Sequence, residues 1–199
     1  SALRRPKGLL GALNMPVLVL QGGMQQRARL KAYDRFASSE HATLLATDVA
    51  ARGLDFTGVE WVVQADCPED VATYIHRTGR TARYTAKGRA LLMLLPSEAP
   101  MVNLLQQARI PLRKLSTNAS KVFAMRDKLQ ALLSSRAELK YTAQRAFVSY
   151  VRSVHLQANK EVFDASALPL AEYAASLGLL AAPRVRLTGG GKLAGAKGG

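Results

Sequence analysis

The chain has 199 residues, 48% hydrophobic and 21% charged, which is globular composition and length enough for one or two domains with an ordinary core. Its 28 Lys and Arg outnumber 14 Asp and Glu for a net charge of +14, with 16 basic and 9 acidic side chains in residues 1–115 and 12 and 5 in residues 116–199. That excess favours a polyanionic partner, whether RNA, DNA or an acidic surface, while the single Cys67 excludes an internal disulfide and a cysteine-rich zinc site, and the longest apolar runs fall far short of a membrane span.

Taken in order, residues 1–14 are basic and leucine-bearing, and their pattern predicts a helix with Leu9, Leu10 and Leu13 inward. Pro16 precedes a short strand at 17–20, and Gln21-Gly22-Gly23-Met24 forms a turn. A helix follows over 25–38, with Leu30, Tyr33, Phe36 and Ala37 in a three-to-four residue rhythm and Gln26 and Arg29 in its first turn. Strands are expected at 43–46, 59–64 and 90–95. Helices are expected from about 71, with Asp70 as N-cap, and from 97 to 108. Trp61 lies inside a β-branched run, so sheet or core packing is favoured for it over base stacking. Strand and helix alternate throughout, which argues for a parallel sheet with helices on both faces.

After residue 115 the pattern changes. A connecting helix is expected over 117–135, with Val122, Met125, Leu129, Leu132 and Leu133 at helical spacing and a packing role against the sheet domain. A second helix over 138–155 places Ala143, Phe147, Tyr150 and Val154 on one stripe, with Lys140, Arg145 and Arg152 largely off it. Phe163, Leu168, Tyr173 and Leu177 fill two shorter elements, and Gly178 is a C-cap candidate. The Gly- and Lys-rich residues 188–199 are expected to be a flexible basic tail.

Two stretches carry the chemistry. The first, ATDVAARGLD at 46–55, empties an apolar strand into a loop bearing Thr47, Asp48, Arg52, Gly53 and Asp55, at the strand end where open α/β sheets bind ligands. The second, YIHRTGRTARY at 74–84, spaces Arg77, Arg80 and Arg83 by three, so that in a continuous helix they share one face around Gly79, beside His76. Guanidinium forks match phosphate oxygens bidentately. Alone, either stretch reads as easily as a solvated polar surface; the order and spacing of the pair make the signal specific.

Together these stretches resemble motifs V and VI of the DEAD-box RNA helicases, which work with two RecA-like domains, and this chain resembles the second. The resemblance covers residues 16–187. It implies a RecA-like α/β domain over 1–115, truncated at its N-terminus, a connecting helix over 116–135, and over 136–187 a small mostly helical extension similar to one found on a branch that acts in ribosome assembly. It further implies that Arg80 and Arg83 reach the γ-phosphate of ATP, that His76 and Arg77 lie at the seam with the first domain, and that Asp55 accepts a hydrogen bond from the ribose of ATP. Gly22, Gln26, Arg29, Thr47, Asp48 and Arg52 are implied as RNA-backbone contacts, with Arg52 also bridging to the seam. Two positions depart from the family pattern, Ala82 for glycine and Gln21 for histidine.

No G-x-x-x-x-G-K-[ST] loop and no D-E-A-D stretch occurs, so the chain alone is expected not to hydrolyse ATP, and Mg2+ is left to a first domain on the same polypeptide, with no metal site here. The start at Ser1 rather than methionine fits that expectation of a longer parent chain. The implied partners are a pre-rRNA or snoRNA duplex held by its backbone, the first RecA-like domain and pre-ribosomal proteins, with no membrane. A reducing compartment, the nucleus and nucleolus, is implied. The alternatives are a non-enzymatic RNA-binding scaffold, which predicts loss of Arg80 or Arg83 although both are present, and a DNA helicase, which fits the second stretch less well.

Overall fold

The structure is a computed structural model that describes residues 17–48, 54, 56, 58–81, 88–118, 120, 125–187 and 192–193. The helix expected at 1–14, together with Val122, Arg52, Asp55, Ala82 and Arg83, lies outside the described residues. The chain divides into two compact units, one drawn from Ser1–Ala65 and Ala72–Leu92, the other from Asp66–Val71 and Met93–Gly199.

The first unit is built from two strand–helix–strand crossovers. Strand β1 (Val17–Leu20), helix α1 (Gln26–Ala37) and strand β2 (Thr43–Ala46) form one, with Leu20 opposite Ala46 in a parallel register. Strand β3 (Trp61–Gln64), helix α2 (Val71–Thr78) and strand β4 (Arg89–Leu92) form the other, again parallel, with Trp61 opposite Arg89. Parallel neighbours require such a crossover because a tight turn can only reverse the chain. Leu20, Ala32 and Phe56 make the buried centre, with Tyr33, Phe36, Leu44, Leu54 and Val59 packed around it. Phe56 meets the rings of Tyr33 and Phe36 edge-on at 5.5 and 5.9 Å, an arrangement the ring quadrupoles favour. Trp61 corrects the expectation of core packing. It is 49% exposed in β3, and the Arg89 guanidinium lies 5.4 Å from its ring centre, because the pairing brings a long cation across from it and cation–π contact satisfies the exposed ring.

In the second unit a 3-10 turn (Pro96–Glu98) leads into helix α3 (Pro100–Gln107), which is shorter than expected because the tight first turn uses residues 96–98. Helices α4 (Arg126–Ser135) and α5 (Ala137–Leu156) follow, then a 3-10 turn (Ala165–Ala167) and helix α6 (Leu170–Ser176). Phe147, Val151 and Val154 of α5 are buried as the stripe predicts, with Val151 an addition to it. Tyr173 of α6 stacks on Phe147 at 5.3 Å and tilts against Tyr150 at 4.7 Å. The tail departs from its expected featureless character at strand β6 (Lys192–Leu193), which pairs antiparallel with strand β5 (Val185–Arg186), since a lone strand otherwise leaves edge amides and carbonyls unpaired.

Gly178 ends α6 in a Schellman motif. Its φ is +77°, its N–H donates to Ala175 O at 3.0 Å, and Leu179 N–H reaches back to Ala174 O at 3.0 Å. A Cβ at Gly178 would lie 2.9 Å from the Leu129 carbonyl carbon in α4, so both conformation and space demand glycine. Gly178→Ala is therefore expected to lower stability by at least about 2 kcal/mol, read as a shift in the chemical denaturation midpoint; a wild-type midpoint would refute this.

Burial pushes the Tyr173 phenol from 10.0 up to about 12, with Asp66 adding to the effect, and burial also raises Tyr150, helped by the charges of Glu98 and Asp66. Folding thus favours the neutral phenols. Their contribution is intact below pH 10.0 and is lost as pH rises toward about 12. Tyr173→Phe is expected to flatten the alkaline stability loss in that window by about 1 kcal/mol, solvent screening of the half-buried phenol having been discounted, measured by denaturation at stepped pH, where an unchanged slope would count against the burial argument.

Candidate functional site

The candidate residues gather at the carboxyl edge of the first unit's strands. Thr47 N–H donates to Leu20 O at 3.1 Å, which carries the β1–β2 pairing one residue further and leaves the exposed Thr47 at the strand's end. Gly22, in the exposed turn after β1, sits at the end of the paired strand. Gln26 and Arg29 open α1 from the same turn and meet each other, with Arg29 Nη1 donating to Gln26 Oε1 at 3.2 Å. This is the edge where open α/β sheets place ligands.

Asp48 follows Thr47, and its two carboxylate oxygens accept from Arg77 Nε at 2.7 Å and Nη2 at 2.8 Å. Arg77 Nη1 donates to Gln64 Oε1 at 3.2 Å. One guanidinium on α2 thus ties the end of β2 to the end of β3. Gln64 is 3% exposed, and its Nε2 has no hydrogen-bond partner among the described residues. The sequence reading missed Gln64. Its signal was a lone amide closing a β-branched run at the carboxyl end of a strand, a place where a buried polar group needs a partner.

Arg77 and Arg80 do not share a helix face. Helix α2 ends at Thr78, and Gly79 N–H completes its last turn on Ile75 O at 2.8 Å. Arg77 turns to Asp48 and Gln64, whereas Arg80 lies beyond the helix and its Nη1 donates to Leu54 O at 2.7 Å. Thr81, buried, donates its hydroxyl to Val59 O. The glycine after Thr78 releases the helical spacing on which a common face depends. His76 is exposed one residue before Arg77. Asp48 and Arg77 accordingly spend their charge on each other. Among the described residues a single backbone carbonyl fixes Arg80, and the bond to Leu54 uses one of its five donors.

The parallel strand–helix–strand units, with polar groups at their strand ends, form the α/β fold of a RecA-like helicase C-terminal domain. Residues 3–85 match the helicase conserved C-terminal domain, and residues 136–185 match the C-terminal extension of ATP-dependent rRNA helicase SPB4-like proteins. The chain thus carries both of these domains, and it is similar to DEAD-box RNA helicases in their second RecA-like domain. It is 55% identical over 170 residues to the probable ATP-dependent RNA helicase DDX10 of Homo sapiens, covering 85% of this chain and 19% of that protein. It is 50% identical over 177 residues to the ATP-dependent RNA helicase dbp4 of Aspergillus fumigatus, covering 88% and 22%. The chain therefore spans about a fifth of the length of these curated relatives. Among solved structures, domain 2 of the DEAD-box helicase Mss116p bound to an RNA duplex is similar at a TM-score of 0.66 and 26% identity, over 83% of this chain and 65% of that one. Mss116p bound to single-stranded RNA and AMP-PNP is similar at 0.67 and 26%, over 85% and 33%.

Asp48→Ala leaves the Arg77 fork without its carboxylate. With side-chain exposures of 21% for Arg77 and 40% for Asp48, solvent screening limits the expected loss to about 1 kcal/mol. Arg77→Lys is expected to cost at least as much, because one ammonium cannot hold both carboxylate oxygens and the Gln64 amide. Urea denaturation of the two variants and their double mutant checks this, and independent, additive losses would exclude the coupling.

Proposed function

We propose that the chain is the second half of a two-domain, RNA-dependent ATPase that remodels RNA duplexes during ribosome assembly. The observation that carries the reading is Arg80, tethered to the Leu54 carbonyl one residue before Asp55. The residues present fit a nucleotide at this edge: Arg80 has guanidinium donors to spare, and Asp55 follows the tethering Leu54 in the sequence. Arg80 and Arg83 would offer positive charge to the γ-phosphate across the seam with the first domain, where such an arginine is worth on the order of 10³–10⁵ in rate. Asp55 would accept from the ribose. ATP supplies the phosphoryl group whose loss resets the motor, and Mg2+ is assigned to the first domain, where the resemblance puts the G-x-x-x-x-G-K-[ST] loop and the D-E-A-D stretch that do not occur in this sequence.

Gly22, Gln26, Arg29, Thr47 and Arg52 would meet RNA sugars and phosphates, giving affinity with little base preference and strong salt dependence. Asp48 and Arg77 act as positioning residues that hold two strand ends in place, and His76 faces the first domain. We further assign the substrate to a pre-rRNA or snoRNA duplex of the small subunit, the partners to pre-ribosomal proteins, and the location to the nucleus and nucleolus. The match of the extension to rRNA helicases supports this assignment. The domain limits proposed are 1–115, 116–135 and 136–187.

Arg80→Ala in the full-length parent is expected to lower RNA-stimulated ATP hydrolysis by roughly a thousandfold while RNA affinity stays near wild type. An unchanged rate would overturn the arginine assignment and favour a non-enzymatic RNA-binding scaffold.

A further inference from the structure

Helix α5 has a second face. Phe147, Val151 and Val154 point to the unit's core, and at 100° per residue Tyr141, Arg145 and Arg152 fall on the opposite side, all exposed. Tyr141 is 61% exposed, and the Arg145 guanidinium lies 5.8 Å from its ring centre. Arg152 Nε donates to Arg186 O at 3.3 Å, which brings β5 alongside this face. In β5 Val185 is 1% exposed, so its neighbours Arg184 and Arg186 turn outward. None of these four arginines has a carboxylate partner among the described residues. An exposed ring with a cation over it and three more uncompensated guanidiniums is an arrangement without a use inside the unit.

We infer that the outer face of α5, continued by Arg184 and Arg186, is a second RNA-binding surface, in which the arginines take phosphates and Tyr141 stacks on an unpaired base. The inference rests on the RNA reading above. Charge complementarity selects a polyanion, and the open aromatic face selects one that carries bases, because stacking on a tyrosine serves any base irrespective of sequence. The surface is thus suited to the single-stranded flank of a structured RNA, held without sequence readout.

The test is affinity of the 199-residue chain for a mixed-sequence duplex with a single-stranded overhang, measured across salt concentrations. The variant with Arg145, Arg152, Arg184 and Arg186 all changed to Gln is expected to lose about three units of the slope of log affinity against log salt, at roughly 0.7–0.9 per phosphate contact. Tyr141→Ala is expected to weaken binding to the overhang roughly tenfold with the slope unchanged. Should the fourfold variant melt early, the pair Arg145→Gln and Arg184→Gln, at two arginines that make no hydrogen bond among the described residues, is expected to lose about half as much slope. A wild-type slope in a folded variant overturns the inference while leaving the first unit's role intact. Loss of slope here, with no effect of Gln26→Ala and Thr47→Ala together, supports the inference and sinks the RNA reading of the first unit. Tighter binding of polyglutamate than of RNA at equal salt overturns it in favour of an acidic protein partner.

Discussion

The Arg77 guanidinium is the constraint on which the candidate site depends. It sits on α2, yet its partners are Asp48 at the end of β2 and Gln64 at the end of β3, so a single planar group fixes the carboxyl ends of two separate parallel pairs. A lysine could satisfy one of those partners at a time. The guanidinium fork satisfies them together because its donors diverge in one plane. With the ends pinned, Thr47 and the turn after β1 are presented on a fixed edge, and the residues that follow α2 leave from a known point. Arg80 then needs one further tether, the Leu54 carbonyl, to be held within the same edge.

This division of labour between neighbouring arginines has a chemical logic. Arg77 is half-buried against a carboxylate, so its charge is internally compensated and serves geometry. Arg80 is bound to a neutral carbonyl, so among the described residues no carboxylate offsets its charge. Uncompensated charge set in place before the ligand binds is what electrostatic catalysis requires, since little reorganisation is then left for the reaction itself.

The second unit solves a different problem, how a mostly helical region without a large sheet can make a core. It does so with aromatic packing along one stripe of α5, where Phe147, Tyr150 and Tyr173 meet, and with a glycine that lets α6 end directly against the backbone of α4. Burying the phenols favours their neutral form, a cost that arises only at strongly alkaline pH. Because the core occupies one side of α5, the other side is free to carry charge, and the helix is amphipathic.

Much of this was legible in the sequence. Strand and helix alternation, the parallel class, the stripe of α5 and the cap at Gly178 follow from local rules, namely hydrophobic period, turn chemistry and glycine's access to positive φ, and each depends on residues close in the chain. The paired stretches at 46–55 and 74–84 likewise pointed to the strand ends where Thr47, Asp48 and Arg77 lie. What the sequence alone could not yield was which polar groups meet. The three-residue spacing suggested a common face for Arg77 and Arg80, but the helix ends at Thr78 and the two diverge. Gln64 looked like the last residue of a strand, and Trp61 like a core residue. Those outcomes depend on contacts between positions 13 and 29 residues apart, which spacing along one element cannot encode. The sequence by itself determined the elements, their class and where the chemistry gathers; only the tertiary structure decided which arginine is spent on holding the site and which remains for a ligand, because that choice is made by partners brought together from different strands.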